Sequence, residues 1–147
     1  MSDIYQSADL IMKLYKMRRE KKMRAARIWW ESFLPETLEE VLQTLINPET
    51  SAKFRMVISY WEMGAAFVNR GAIDEEMYNE TSGEQFLVFA KLQPFLAEVR
   101  GKFQSPGFLK NFEALIMRMP GAAERLPMRR EQARNWIKQR AESEKPF

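Results

Sequence analysis

The chain has 147 residues, of which 46% are hydrophobic and 12% aromatic, and its formal net charge is +3. This composition excludes a disordered chain and fits one domain that buries roughly two thirds of its unfolded surface. The absence of histidine and cysteine excludes histidine bases, thiol nucleophiles, disulfides and thiolate zinc sites. We therefore expect no catalytic residues, metal site or cofactor.

The sequence also predicts a location. Its apolar runs are far shorter than the ~20 residues that span a bilayer. The segment MSDIYQSADL lacks the basic and apolar order of a secretion signal. We therefore expect a soluble, cytoplasmic protein.

Residues from 3 to about 33 predict a long basic helix, or two helices in series. Eight basic residues and one acid, Glu20, lie between positions 13 and 27. Clustered cations neutralise phosphates or approach an anionic leaflet, so these residues are candidates for binding a nucleic acid or a membrane surface: Lys13, Lys16, Arg18, Arg19, Lys21, Lys22, Arg24 and Arg27. Alternatively they are solvated, or pair with the protein's own acids, because they occupy every side of the helix.

Two adjacent tryptophans, Trp29 and Trp30, close this segment. Neighbouring side chains point about 100° apart on a helix. We therefore expect one tryptophan in the core and the other at a helix or subunit contact.

Thr37 and Glu40 have the spacing of a capping box, which predicts a short helix that ends at Asn47–Pro48. A central helix follows near residues 52–70, beginning at Thr50 or Ser51. Its polar side chains occupy one narrow arc, so we expect neighbours on most sides.

Two glycines have predicted roles in and after this helix. Gly64 lies at the centre of the apolar arc, which favours close approach of another helix. Gly71 stands where a helix-terminating glycine is common.

Several short signals divide the rest of the chain. Ser82 and Gln85 predict a cap, and Pro94 should kink the helix that follows. Ser105–Pro106 predicts the start of the next helix, and Pro120–Gly121 its end. Leu126–Pro127 then opens a last basic helix over about 127–142, in which only four residues can pack: Met128, Ala133, Trp136 and Ile137.

Glu62, Arg100 and Glu113 form one further candidate set. If the helices bring them together, they make a half-buried polar network. Such networks more often fix packing than perform catalysis, although a small-molecule site there is an alternative.

The segment RMVISYWEMGAAFVNRGAIDEEMY, with KLYKMRREKKMRAARIWW before it and LQPFLAEVRGKFQSPGFLKNFEALI after it, resembles a known family. This is a family of small, uncharacterised bacterial helical domains, described only as a domain of unknown function. The likeness spans roughly residues 10–116. It implies a helical fold and no activity.

These patterns predict an all-α, single-domain bundle of about six helices over residues 1–147, with its core over 37–119. For function we expect a protein-interaction or structural module that self-associates through the long first helix and its tryptophans, because basic and acidic segments alternate along the chain. The alternatives are an anion-binding protein and, less favoured, a small-molecule site at Glu62, Arg100 and Glu113.

Overall fold

A computed structural model describes residues 3–144 of the chain. Within this range the protein is a single-domain bundle of nine α-helices and one 3-10 turn, without strands, which confirms the predicted all-α fold. The elements are α1 (Ile4–Arg19), α2 (Lys21–Ser32), α3 (Leu38–Ile46), α4 (Pro48–Asn69), α5 (Glu75–Thr81), α6 (Glu84–Leu92), the 3-10 turn (Gln93–Phe95), α7 (Leu96–Lys102), α8 (Lys110–Met117) and α9 (Ala122–Ser143).

The N-terminal basic segment forms two helices in series. Glu20 separates them with φ −59° and ψ 147°, an extended conformation. The break lets α2 pack on α4, where it buries Met23, Ala26 and Trp30. Helix α1 also packs onto the bundle and buries Ser7 and Leu14.

Helix α4 is the buried central helix that its apolar pattern predicts, and it packs against α2, α3 and α8. It begins at Pro48, before the predicted Thr50 or Ser51. Asn47 caps it by accepting a hydrogen bond from the Glu49 amide at 3.0 Å, and proline fits the first helical position. Asn47 therefore both ends α3 and begins α4.

Gly64 admits a side chain from α5 rather than a neighbouring helix backbone. A Cβ atom at this position would meet the Tyr78 hydroxyl, with the ring carbon Cζ at 3.1 Å. Gly71 ends α4 as predicted, with φ at +82°.

Pro94 divides its predicted helix into α6 and α7, with the 3-10 turn between them. The predicted Ser82 cap is wrong, because Gly83 is the cap residue and no side chain caps α6. Gln85 instead donates its side-chain amide to Asn79 at 2.9 Å.

Helix α8 begins at Lys110, so the predicted start at Ser105–Pro106 is too early. The residue before it, Leu109, has φ 55°. Glu62 of α4 accepts the backbone amides of Asn111 (3.3 Å) and Phe112 (2.9 Å). A cap from a distant helix therefore replaces the local one.

Helix α9 begins at Ala122, and Pro127 lies inside it. The predicted packing of this helix is partly wrong. Met128 and Trp136 are 63% and 49% exposed, whereas Arg130 is 8% exposed. An arginine thus occupies a buried position where α9 contacts the domain.

Candidate functional site

The eight predicted anion-binding residues divide into paired and unpaired cations. Glu84 of α6 lies 3.0 Å from Arg27 and 3.6 Å from Arg18. Lys13 forms an exposed pair with Asp9 at 3.0 Å. These three cations therefore balance the protein's own acids, as one of the alternatives predicts.

The other five cations gather where α1 meets α2, and they make no ion pair with a carboxylate in residues 3–144. We call this cluster the basic junction: Lys16, Arg19, Lys21, Lys22 and Arg24. All five are exposed. Arg19 lies over the Tyr15 ring at 5.7 Å, and Arg24 donates to the Arg19 carbonyl at 3.4 Å. The five cations of the junction are therefore exposed to solvent.

The three residues of the predicted polar network lie near the start of α8 but do not form one cluster. Glu62 accepts the Asn111 side-chain amide at 2.8 Å, in addition to the two backbone amides. Arg100 donates to Glu113 at 3.0 Å and to the Phe108 carbonyl at 2.9 Å. The contacts of Glu62 are those of a helix cap. The contacts of Arg100 hold the loop that precedes α8.

The polar contacts continue along α4 to residues that were not predicted. Asn69 donates to Asn111 at 3.0 Å, and it accepts from Arg118 at 2.6 Å. Arg118 also pairs with Glu75 at 2.7 Å. The network therefore links α4, α5 and α8, and its hydrogen bonds and ion pair hold these helices together.

Sequence analysis missed the arginine cluster of α9: Arg130, Arg134 and Arg140. Arg130 donates to the carbonyls of Lys91 (2.9 Å) and Pro35 (2.8 Å) and to Glu36 (3.0 Å). Arg134 also pairs with Glu36, at 2.7 Å, and holds the pKa of that carboxyl below its usual value. The i, i+4 spacing of the first two arginines was the available signal.

Arg140 extends this cluster to α2, where it pairs with Glu31 at 2.7 Å. Together the three arginines tie α9 to α2, to the end of α6 and to the loop before α3.

Lys91 lies beside the arginine cluster and is 3% exposed. Its ammonium donates to the Trp30 carbonyl. Burial lowers the pKa of Lys91 to about 8, although Glu31 and Glu84 oppose this shift. The helical pattern of the sequence did not predict that Lys91 is buried. A lysine can bury its aliphatic stem as an apolar side chain does, so its charge does not reveal its position.

The two tryptophans of α2 contribute to internal packing. Trp30 is 3% exposed and stacks on Phe54 at 5.7 Å. Trp29 is half-buried and stacks on Phe33 at 4.6 Å. The contact predicted for the second tryptophan is therefore made within the chain.

An apolar face of α1 is exposed. We call it the α1 stripe: Ile4 (63% exposed), Tyr5 (85%), Met12 (55%) and Tyr15 (42%). On a helical wheel these side chains share one side, because their spacing follows the helical repeat. The buried Ser7 and Leu14 lie on the adjacent side.

Beside this stripe α1, α4 and α5 enclose an open cavity of about 330 Å³. We call it the tyrosine cavity, after the residues that dominate it: Tyr15, Tyr60 and Tyr78, with Ile11, Leu14 and Arg18. The Tyr60 hydroxyl donates to the Leu14 carbonyl at 3.1 Å. Burial raises the pKa of Tyr60 to about 12 and that of Tyr78 further. Both phenols are therefore neutral hydrogen-bonding groups at physiological pH.

Among residues 3–144, no group of carboxylates has the arrangement of a metal site. Within the same range no helix has both the length and the apolar character needed to cross a membrane.

Comparison with known protein families gives a match over most of the chain. The profile of a family described as a domain of unknown function (DUF4760) matches residues 4–119, which include α1 to α8 and leave α9 outside. No curated protein and no solved structure matches the chain. Because the matched region covers most of the sequence, the protein belongs to this family of domains of unknown function, in agreement with the predicted resemblance.

Proposed function

We propose that the protein is a non-catalytic interaction module that self-associates through the α1 stripe, in the cytoplasm. The observation that supports this function is the exposure of four large apolar side chains on one side of a surface helix. Contiguous apolar surface of this kind favours a protein partner. The tryptophans of α2, buried or stacked within the chain, leave α1 as the better candidate surface.

A second copy of the chain is the partner that the charges of α1 favour. Its first half carries Asp9 and is capped by Asp3, whereas its second half carries Lys13, Lys16 and Arg19. Antiparallel pairing of two α1 helices about a twofold axis brings the acidic half of each beside the basic half of the other. The dipoles of the two antiparallel helices then also attract each other.

Analytical ultracentrifugation of the full chain tests this proposal. We expect a dimer for the wild type and a monomer for the double variant Ile4→Glu/Tyr5→Glu, which places charges in the stripe. The matched control is Ile46→Glu/Met128→Glu, because these side chains are 71% and 63% exposed on other helices. A monomeric wild type, or equal dissociation of both variants, contradicts the proposal.

A second candidate function is binding to an anionic membrane surface through the basic junction. It is favoured by the five clustered cations, which pair with no carboxylate among residues 3–144, and by the exposed Tyr15 and Met17 beside them. Apolar and cationic side chains on one helix suit the boundary between headgroups and acyl chains.

Vesicle co-sedimentation distinguishes this candidate. We expect binding to vesicles with phosphatidylserine, none to phosphatidylcholine alone, and loss in the variant Lys16→Glu/Lys21→Glu/Lys22→Glu/Arg24→Glu. A control with the same charge change alters Arg70, Lys102, Lys110 and Lys138, which are exposed elsewhere. Equal loss in both variants indicates net charge alone, and binding to duplex DNA but not to vesicles favours the nucleic-acid alternative.

A further inference from the structure

A second cavity lies where two apolar clusters of the fold meet. The larger cluster contains Phe54 and Ile58 of α4, and the smaller one contains Val99 of α7. Leu45 and Phe108 pack against both clusters but are only partly buried. The clusters therefore do not close completely, and an open cavity of about 330 Å³ remains between α3, α4, α7 and the loop before α8.

We call this space the phenylalanine cavity, after the rings that dominate its wall. Its apolar residues are Leu45, Phe54, Ile58, Val99, Phe103 and Phe108, and its polar residues are Ser51, Arg55 and Ser105. An apolar wall with a few polar groups is typical of a small-molecule site, and the volume lies at the lower end of the range for such sites. Phe103 is 52% exposed, so one ring stands at the open side, where a ligand can supply the contacts that the ring lacks.

The loop that carries Phe103 and Phe108 is held in place before any ligand binds. The Ser105 amide donates to the Arg100 carbonyl at 2.9 Å, and the Arg100 Nε donates to the Phe108 carbonyl at 2.9 Å. Gln104 has φ 53°, a left-handed conformation that glycine usually supplies at the end of a helix. A wall fixed in this way loses little conformational entropy on binding. The cavity is therefore preformed.

Arg55 supplies a cation at the open side of the phenylalanine cavity. The side chain is exposed, and its Nε donates to the Ser51 carbonyl at 3.4 Å, which keeps the guanidinium beside the cavity wall. Arg55 forms no ion pair with a carboxylate among residues 3–144. Of the two acids on the same helix, Glu49 pairs with Lys53 at 3.8 Å and Glu62 caps α8. The terminal nitrogens of Arg55 can therefore donate to an anion.

We propose that the phenylalanine cavity binds an aliphatic monocarboxylate of medium chain length. The carboxylate accepts hydrogen bonds from the Arg55 guanidinium at the open side, and the chain packs between the phenylalanine rings. One carboxylate balances one cation, and no other charged residue lines the cavity. This binding activity goes beyond self-association, since the cavity shares no residue with the α1 stripe or the basic junction.

Isothermal titration calorimetry with octanoate as the probe tests both ends of this ligand. We expect saturable binding of one octanoate per chain. Octanamide keeps the chain and removes the charge, so it should bind roughly tenfold or more weakly, from loss of a charge-assisted hydrogen bond. Hexanoate should bind more weakly than octanoate by about fourfold for each methylene removed. No binding of octanoate at millimolar concentration, binding of several equivalents, or equal binding of acid and amide overturns the proposal.

Two matched variants of α4 test the role of the cation. Arg55 lines the cavity, whereas Arg70 is an exposed arginine at the other end of the helix and does not. We expect roughly a tenfold loss of octanoate affinity for Arg55→Gln, which should then bind the acid and the amide alike. Arg70→Gln should change the affinity within about twofold, because a distant exposed charge is screened. Equal losses in the two variants contradict the assignment.

Phe103→Ala tests the apolar wall in the same way. Because the ring is half-exposed, its removal should leave the fold intact, and we expect roughly a fivefold loss of octanoate affinity from lost apolar contact. The control is Phe67→Ala, which removes a 36% exposed ring of α4 outside the cavity and should leave the affinity unchanged. Unchanged affinity in Phe103→Ala overturns the role of that wall.

Amide chemical-shift mapping locates the ligand without any substitution. Octanoate should shift the amide signals of residues 99–108 and of the first half of α4, and it should leave those of α1 unchanged. Shifts confined to α1 mean that octanoate adsorbs to the α1 stripe, and they overturn the proposed site.

Discussion

Two basic regions of this protein differ in what their cations contact. The arginine cluster of α9 faces carbonyls and carboxylates, and each of its three arginines forms an ion pair with Glu36 or Glu31. The basic junction between α1 and α2 faces solvent, and its five cations form no such pair within residues 3–144. The sequences of the two regions look alike, because both are rich in lysine and arginine. The difference lies in what the facing elements offer.

The contrast predicts different energetic costs of mutation. Arg130 donates to two buried carbonyls, those of Lys91 and Pro35, so its removal leaves both of them unsatisfied. Cations of the junction exchange little solvation on folding, and exposed charges contribute little to stability. Charge density along the sequence therefore does not distinguish a structural cation from one available to a partner.

The largest expected effect is that of Arg130→Met. This substitution keeps much of the side-chain volume but leaves the carbonyls of Lys91 and Pro35 without the Arg130 donor, whereas Glu36 retains Arg134. We expect a loss of about 2 to 4 kcal/mol in the free energy of unfolding, because two buried carbonyls lose their hydrogen-bond donor. Urea denaturation at pH 7 measures it.

Arg129→Met is the control, since Arg129 is only half-buried on the same helix and its described contact is with Gln132. We expect a change within about 0.5 kcal/mol. Similar losses in both variants mean that α9 responds to net charge rather than to the Arg130 contacts.

The next effect concerns Lys91, the buried cation beside this cluster. Its pKa is lowered to about 8 in the folded protein, so the unfolded chain binds the proton more tightly. Stability should therefore rise as the pH increases from about 8 toward the unfolded pKa of about 10.5, at up to about 1.4 kcal/mol per pH unit. We expect a gain of about 2 kcal/mol between pH 8 and pH 10.

The variant Lys91→Met isolates this contribution, because it retains every other titrating group. The difference in unfolding free energy between wild type and variant, measured by urea denaturation at each pH, should show the gain. Stopping at pH 10 avoids the tyrosines, whose raised folded pKa values lower stability above that pH. A constant difference across this range is incompatible with a buried, neutralised lysine.

Gly64→Ala has an intermediate expected effect. The added methyl group would collide with the Tyr78 hydroxyl and lie 3.1 Å from its Cζ atom. Overpacking costs about 1 to 3 kcal/mol, and the higher helix propensity of alanine offsets about 1 kcal/mol. We expect a net loss of about 1 to 2 kcal/mol in the thermal or urea unfolding free energy.

A double-mutant cycle with Tyr78→Phe provides the control. Tyr78→Phe alone removes a buried hydroxyl that makes no hydrogen bond within residues 3–144, so it should be neutral or slightly stabilising. The double variant should recover most of the loss. Additive effects mean that the hydroxyl is not the obstructing group.

These contacts also show how far sequence reasoning reaches. The apolar arc of α4 and the turn at Gly71 were predictable, because local periodicity and a positive φ leave a direct trace in the sequence. The start of α8 was not, because Glu62 caps it from another helix. Arg130 was missed for the same reason, since its acceptors lie in the loop before α3 and at the end of α6. Long-range polar contacts specify these features. The i, i+4 spacing of Arg130 and Arg134 is a local trace, but it does not identify the partners.

The predicted set of Glu62, Arg100 and Glu113 illustrates the point with a smaller effect. Glu62→Gln removes the negative charge that accepts amide hydrogens at the start of α8, and we expect a loss of about 1 to 2 kcal/mol. Glu113→Gln weakens one half-exposed pair with Arg100, and it should cost below about 1 kcal/mol. Urea denaturation of both variants tests whether Glu62 contributes more to the free energy of unfolding than Glu113. Equal losses favour the single network that the sequence suggested.

The smallest expected effect belongs to the basic junction, and its sign is opposite. Lys21 and Lys22 occupy the first turn of α2, where no acid is present and no side chain caps the helix. Cations there oppose the helix dipole, whereas glutamates would favour it. We expect Lys21→Glu/Lys22→Glu to raise the unfolding free energy by about 0.5 kcal/mol at low salt, and Lys138→Glu, an exposed charge change within α9, to give no gain. Such a gain would agree with the second candidate function, in which these cations bind an anionic surface. A destabilised double variant would instead show that the fold depends on these cations, as it depends on the arginine cluster of α9.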